Sequence, residues 1–257
     1  MSIKVQTIAL YTIVRHQLSR MFRIKVQTFL PAAITTLLYF AIFGTIVGKR
    51  VGMVEGFTYN TFIAPGLLMI VVINNAYTNP SSALFTARFQ RSIEELLVSP
   101  IHDSLILLGY ILGGILRGLL VGILVLIVSA FYIDLHIQQI LLSLCIVALI
   151  ACLFSLAGFT NGMLSKTFED NMIIPTFILT PLTYLGGVFY SISMLPPTWH
   201  RFALLNPIFY MVDLLRYAMI GYPSQHIGVA ILVISIFIIG LFGLNLMLIK
   251  RNVGIRD

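Results

Sequence analysis

Charge is scarce in this chain. Of its 257 residues, 10% are Asp, Glu, Lys or Arg, while 59% are hydrophobic and the mean hydropathy is +1.00. A water-soluble fold could not cover that much apolar surface. Cysteine is scarce too. Cys145 and Cys152 share one apolar run, which excludes a disulfide framework and reads them as small hydrophobes. His16, His102, His136, His200 and His226 are far apart and show no metal-ligand spacing. There is no low-complexity tract or Pro/Ser-rich linker. Nor is any polar run long enough for a soluble domain of roughly 50 residues, so one membrane domain over 1–257 is expected. A cleaved leader is not expected, because Gln6, Thr7 and Thr12 interrupt the first apolar run and Arg15, Arg20, Arg23 and Lys25 follow it. The net charge of +7 could suggest nucleic acid. No basic patch with interleaved aromatics appears, and positive loops on one side of a membrane account for it.

Long apolar runs are what the chain does have. A helical crossing needs about 20 apolar residues, and in lipid the backbone must satisfy itself within the segment. Six stretches qualify: 26–47, 61–80, 105–130, 140–164, 173–190 and 228–249. The expected fold is an all-α membrane protein with six transmembrane helices. Pro31 sits near the start of the first span, where its missing N–H costs least. The third span carries Gly109, Gly113, Gly114 and Gly118, two GxxxG patterns that permit close helix packing.

Residues 1–23 fit an amphipathic interfacial helix. Ile3, Leu10, Val14, Leu18 and Met21 lie on one side, and Arg15, His16, Ser19, Arg20 and Arg23 largely on the other. The alternative is a polar tail with chance periodicity. Segment 191–227 is too apolar for a plain loop. Asn206-Pro207 reads as a helix start and Gly221 with Pro223 as its stop. The helix between them is about 21 Å long, too short to cross. With a second short helix near 197–205 it makes either a re-entrant hairpin or a pair of flat surface helices. Lys and Arg count eleven on one side and four on the other, the four including Arg201 and Arg216. Both termini are therefore expected in the cytoplasm.

Between the second and third spans, Phe85, Phe89, Ile93, Leu96 and Leu97 form an apolar stripe at helical spacing. Arg88, Arg91, Glu94 and Glu95 are polar and Pro100 ends the segment. Periodicity leaves two readings open: a helix at 85–100 that docks a soluble partner, or one packed on the membrane surface. Adjacent Glu94 and Glu95 diverge by about a hundred degrees on a helix, so they cannot flank one bond as an acid–base pair.

The motif IEELLVSPI at 93–101 resembles the coupling-helix motif of ABC-2 type permeases, the membrane subunits of ATP-driven exporters. FIAPGLLMIVV at 62–72, SLAGFTNGMLSKTFED at 155–170, IPTFILTPLTYLGGVFYSISMLPPTW at 174–199 and LNPIFYMVDLLRY at 205–217 agree with it. The resemblance implies a bacterial inner-membrane permease that pairs with a second copy of itself and with cytoplasmic ATPase subunits. It places ATP and Mg on that partner, with no cofactor in this chain. It makes Arg88, Arg91, Glu94, Glu95, Leu97 and Pro100 the ATPase-coupling residues. It also makes Asn74 and Asn75, in the second span, pathway candidates, with Pro181 and Tyr184 supplying a kink and a gate in the fifth. The stretch from Gly44 to Arg50 only superficially resembles a phosphate loop: three residues separate the glycines where four are needed, and Arg50 stands where Ser or Thr should be.

Arg117 is the one charge deep within an expected span, at a cost of roughly 2.5–3.5 kcal/mol. It either meets acidic head groups or makes a structural hydrogen bond. Two rival functions remain on residues alone. An ion-gradient carrier or channel would want acidic residues in the spans, and none falls there. An intramembrane lipid-modifying enzyme would use Arg117 to hold a phosphate.

Overall fold

A computed structural model describes residues 3–93, 96, 99, 101–134, 136–224 and 226–251. Of the residues named above for coupling, Glu94, Glu95, Leu97 and Pro100 lie outside the described residues.

The chain opens with α1 (Ile3–Arg23) and, after a one-residue break at Ile24, α2 (Lys25–Val51). A short antiparallel hairpin, β1 (Met53–Val54) and β2 (Phe57–Thr58), leads into α3 (Tyr59–Phe89). Then come α4 (Asp103–Ser129), α5 (Ile140–Leu164), α6 (168–185), α7 (Pro197–Leu205), α8 (Pro207–Ile220) and α9 (Ile227–Lys250). The protein is an all-α membrane protein. Five helices, α2, α3, α4, α5 and α9, are long and apolar enough to cross a bilayer. The pair α7 and α8, bent by 86°, makes a sixth if counted as one span. That bend falls at Asn206, whose Oδ1 accepts from the Ile208 N–H and whose Nδ2 donates to the Leu182 carbonyl. Gly221 closes α8 in the left-handed region. Both boundaries follow the expected start and stop signals.

α3 is the central post, packed against α4 and α5, with 72% of its most apolar window buried against 11% for α9. The reason lies in small residues. A Cβ on Gly158 of α5 would sit 2.1 Å from the Tyr77 carbonyl oxygen, so only glycine lets the two backbones approach this closely. The two GxxxG patterns of α4 divide their work. Gly109 and Gly113 seat Ile13 and Gln17 of α1, while Gly114 and Gly118 face Ala76 of α3 and Ser155 or Ala151 of α5.

Several expected boundaries moved. The second span was expected to stop at Pro80, but α3 continues nine residues further, to Phe89. Proline cannot donate to the Ala76 carbonyl four residues back. Ser155 Oγ of α5 supplies that bond instead at 3.1 Å, which is how a proline is accommodated in a lipid-embedded helix. We expect Ser155→Ala to cost about 1–3 kcal/mol by orphaning a buried carbonyl, read as a lower melting temperature in detergent.

The expected stripe at 85–100 is not one helix. Phe85 and Phe89 belong to α3, and the chain turns at Gln90 and Arg91, where φ reaches 58° at Arg91. Pro31 lies inside α2, which begins at Lys25, and not near its start. The expected span at 173–190 is α6, which starts at Phe168 on a capping box between Thr167 and Asp170 and ends at Leu185. Its polar first turn, with Glu169 and Asp170, and its two prolines leave it outside the five long apolar helices. The stripe on α1 is rotated from expectation. Ile13, Gln17 and Met21 are buried, and Arg20 turns inward with them.

Candidate functional site

Three groups of polar and aromatic side chains stand out along the bundle. The first is at the end where α3 and α5 finish. Arg88, the last-turn cation of α3, donates through Nη1 to the carbonyls of Gly162, Met163 and Ser165 at 2.8, 2.6 and 3.0 Å. These are the last carbonyls of α5 and its cap, which have no partner within their own helix and carry the negative end of its dipole. Behind them Asn161 Nδ2 donates to Ser81 Oγ, to the Asn171 carbonyl and to Asn171 Oδ1, at 3.1, 2.9 and 2.8 Å. Ser81 and Asn171 close the knot at 2.5 Å. α3, α5 and α6 are thus tied at one point by residues that are all buried. Asn161→Leu removes a donor shared by three acceptors and is expected to cost about 2–3 kcal/mol, measured as loss of folded protein on heating in detergent.

The second group is at mid-depth. Arg117 Nε donates to Asn75 Oδ1 at 3.3 Å, and its Nη1 reaches Asn79 Oδ1 at 3.5 Å. Asn75 also bonds its own helix, through Nδ2 to the Val71 carbonyl at 3.0 Å. Asn74 does the same to Ile70 and has no described side-chain partner on another helix. Of the mid-depth pathway candidates, the structure therefore brings Asn75 and Arg117 together and leaves Asn74 beside them. Further along the bundle, Asn245 bonds the Leu156 carbonyl and accepts from Thr160, zipping α9 to α5.

The third group is at the opposite end. Tyr184 of α6 meets the Tyr39 hydroxyl of α2 at 2.8 Å, and Phe189 stacks with Tyr184 and Phe43 and packs on Tyr39. Pro181 is exposed one turn earlier in α6. Because proline cannot donate, α6 is irregular here, with Thr180 Oγ1 returning to the Pro175 carbonyl at 2.9 Å. No described contact joins this group to Asn75 and Arg117.

Beside the aromatics, Arg216 of α8 is 3% exposed. Its Nε donates to the Phe62 carbonyl at 3.2 Å, and its Nη2 donates to the carbonyls of Gly187 and Val188 at 2.6 and 3.0 Å. Its guanidinium lies 3.8 Å over the Phe62 ring. Glu55, in the β1–β2 turn, accepts from Ser191, Ser193 at 2.7 Å and Tyr222. Burial pushes the Glu55 carboxyl up, but those three hydrogen bonds and the Arg216 charge outweigh it and hold the carboxyl below its usual range. Tyr222, by burial and its bond to Glu55, is pushed up to about 12. A carboxyl depressed on folding stabilises above its unfolded value of about 4.3 and loses that contribution as pH falls through the lower folded value. Glu55→Gln should therefore flatten the acid limb of the melting temperature against pH and leave the curve near neutrality little changed in shape.

Sequence reasoning missed Arg216, Glu55, Gln17, Arg20, Asn79 and Ser82. Arg216 counted as an ordinary loop cation, yet it is the most deeply buried one among the described residues. A usable signal existed for the α3 residues: Asn75, Asn79 and Ser82 recur at i, i+4 and i+7, one face of a helix.

This bundle, with buried cations held by carbonyls and amides and a bent helix pair closing one end, defines a polytopic helical membrane protein. Residues 8–220 match the ABC-2 type transporter family, and the chain belongs to it. The chain is 46% identical over 250 residues to the inner membrane transport permease YadH of Escherichia coli K12, covering 97% of this chain and 98% of that protein. It is also 25% identical over 210 residues to Nodulation protein J of Rhizobium leguminosarum bv. viciae, covering 81% of each. Nodulation protein J of Rhizobium meliloti is 23% identical over 217 residues, 84% of this chain and 83% of that one.

Proposed function

We propose that this chain is the membrane-spanning permease of an ATP-driven exporter in a bacterial inner membrane. It works as a dimer with separate cytoplasmic ATPase subunits, which hold the ATP and Mg. Both termini and the segment after Phe89 face the cytoplasm. Family membership and the likeness to an inner membrane transport permease support the class and the location.

The coupling role rests on one observation: Arg88, one residue before α3 ends, grips the end of α5 at the carbonyls of Gly162, Met163 and Ser165, directly after the Asn161 knot. A push on the segment that follows Phe89 is passed to α3, α5 and α6 together, because Arg88 and Asn161 join their ends. Closure of an ATPase dimer against residues 91–100 would then move three helices as one. α3 carries Asn74 and Asn75, and α6 carries Pro181 and Tyr184, so these pathway candidates would move relative to Arg117 on α4. The aromatic contact between Tyr39, Tyr184 and Phe189 would act as the far gate.

Charge reversal at Glu94→Arg together with Glu95→Arg tests this. ATPase binding and permease-stimulated hydrolysis should fall severalfold while insertion and melting temperature hold. Unchanged stimulation by that double variant removes the coupling assignment.

A further inference from the structure

Two cavities adjoin at the end of the bundle away from Arg88. The first, about 210 Å³, has Thr61 and Ala64 of α3, Asp134, His136 and Gln138 of the α4–α5 loop, and Met219 of α8 on its lining. The second, also about 210 Å³, is a groove between α4 and α5, with Leu119, Ile123, Ile137 and Leu144 on its walls, Leu68 of α3, and again Met219. Met219 is thus common to both. Ala64 and Leu68 are one turn of α3 apart, about 6 Å, so the cavities follow one another along the bundle. The loop beside them is fixed in place. The N–H groups of Gln138 and Gln139 donate to the carbonyls of Met219 and Ala218 at 3.0 and 3.1 Å.

The two cavities differ in chemistry. Ser143 is the one hydroxyl on the second, and its Oγ is spent on its own helix, donating to the Gln139 carbonyl at 2.8 Å. The groove therefore offers water no partner. A dry cavity of about 150 Å³ takes up an apolar ligand, so this larger one has room for a length of alkyl chain. Ile123, Ile140 and Leu144 on its lining are 50%, 70% and 50% exposed. On two membrane-crossing helices, that exposure opens the groove to lipid. The first cavity is lined by one carboxylate, Asp134, and by neither Lys nor Arg. The described hydrogen bonds at Asp134 run to its backbone carbonyl, and no Lys or Arg among the described residues pairs with its carboxylate. Gln138 commits its Nε2 to the Ile220 carbonyl at 3.3 Å, which leaves Oε1 to accept. Acceptors and one negative charge call for a small cation that donates hydrogen bonds. A primary ammonium brings three N–H donors.

We propose that these two cavities together bind one aminophospholipid of the phosphatidylethanolamine kind. Its ammonium sits against Asp134, with Gln138 Oε1 and Thr61 Oγ1 as further acceptors. One acyl chain lies in the groove between α4 and α5. Met219 divides the two, and its unbranched thioether adapts to the glycerol backbone that passes over it. His136, exposed on the same lining, donates a ring N–H to the phosphate. Lipid tails are as apolar as the groove, so chain packing alone selects no lipid; the head group decides. Phosphatidylcholine carries the charge but has no N–H to give. Phosphatidylglycerol sets its phosphate against Asp134 with no cation between them. The site shares no residue with the Tyr39–Tyr184 contact and needs no ATPase, so it stands apart from the transport reading.

Cross-linking of the full chain in nanodiscs tests it. The discs contain phosphatidylcholine with a trace of phosphatidylethanolamine bearing a diazirine in one acyl chain. Adducts should concentrate on residues 119–126 and 140–147, above the yield on the lipid-exposed α9. A half-exposed ion pair gives an about fivefold preference, so replacing half of the phosphatidylcholine by unlabelled phosphatidylethanolamine should lower this yield about threefold. Replacement by phosphatidylglycerol should not lower it. Asp134→Asn, on an exposed loop, should abolish the difference between the two replacements while the melting temperature holds. Ile123→Trp fills the groove and should remove the adducts there severalfold while those on α9 persist. Adducts spread evenly over α4, α5 and α9 in wild type overturn the proposal, as does equal competition by the two replacement lipids. So does a folded Asp134→Asn protein that keeps the preference. Displacement by dodecylamine without competition from phosphatidylethanolamine would make the occupant a soluble amphiphile and overturn the lipid assignment.

Discussion

Arg216→Leu is expected to destabilise the protein by roughly 3–5 kcal/mol, on the basis of about 1.5–3 kcal/mol for each hydrogen bond to a charged group and partial relaxation of the acceptors. Three carbonyls, those of Phe62, Gly187 and Val188, receive this side chain in a region closed to solvent. They come from the start of α3 and from the turn after α6, so the arginine joins α8 to two other elements. Leucine fills part of the volume and offers none of the bonds. Arg216→Lys keeps the charge but not the planar fork, and it cannot reach Phe62 on one side and the 187–188 turn on the other. Its melting temperature should fall nearly as far. Arg201→Ala, at an exposed position on α7, is the comparison and should shift stability by less than about 0.5 kcal/mol. An Arg216→Leu protein that melts with the wild type would mean that the carbonyls find other donors.

Gly158→Val carries the second large effect. The added Cβ falls 2.1 Å from a backbone oxygen, that of Tyr77. A flexible side chain could swing away; a carbonyl in the middle of α3 cannot. Separating α3 from α5 would also strip Ser155 from the Ala76 carbonyl and loosen the Asn161 knot. The expected loss is about 3 kcal/mol or more, at or beyond the top of the usual range for overpacking, seen as little folded protein recovered from the membrane. Gly240→Ala is the matched control. Nothing lies within 4 Å of a Cβ there, and the gain in helix propensity of about 0.5–1 kcal/mol should leave it as stable as wild type or slightly more so.

The sequence made the helices legible and their contacts only partly so. α5 spans the expected 140–164, because neither a charged residue nor a proline interrupts the mostly apolar stretch from Ile140 to Leu164. α3 was underestimated, because Pro80 reads as a stop unless one knows that Ser155, 75 residues later, completes the bond it breaks. The α8 start and stop were readable because Asn206, Pro207 and Gly221 act locally. The site was harder. Arg117 announced itself by its depth, and the asparagines by their rarity in an apolar run. Arg216 did not, since a cation beside Tyr217 on a short segment looks the same whether it faces water or three carbonyls. Arg20 was misassigned for a related reason. Amphipathic periodicity finds the face that avoids water, but α1 also packs on a protein surface that carries its own polar groups, and Gly109 with Gly113 decides which face that is.

The account turns on which side of the membrane the end of α3 occupies. With Cys145 and Cys152 replaced by alanine, Ser92→Cys places a single thiol at an exposed position just past Arg88. An impermeant maleimide should leave it unmodified in intact cells and label it rapidly in inverted vesicles, with labelling slowed when the ATPase subunit is present. Rapid labelling in intact cells, or labelling in inverted vesicles indifferent to the ATPase, would contradict a soluble motor acting at this end.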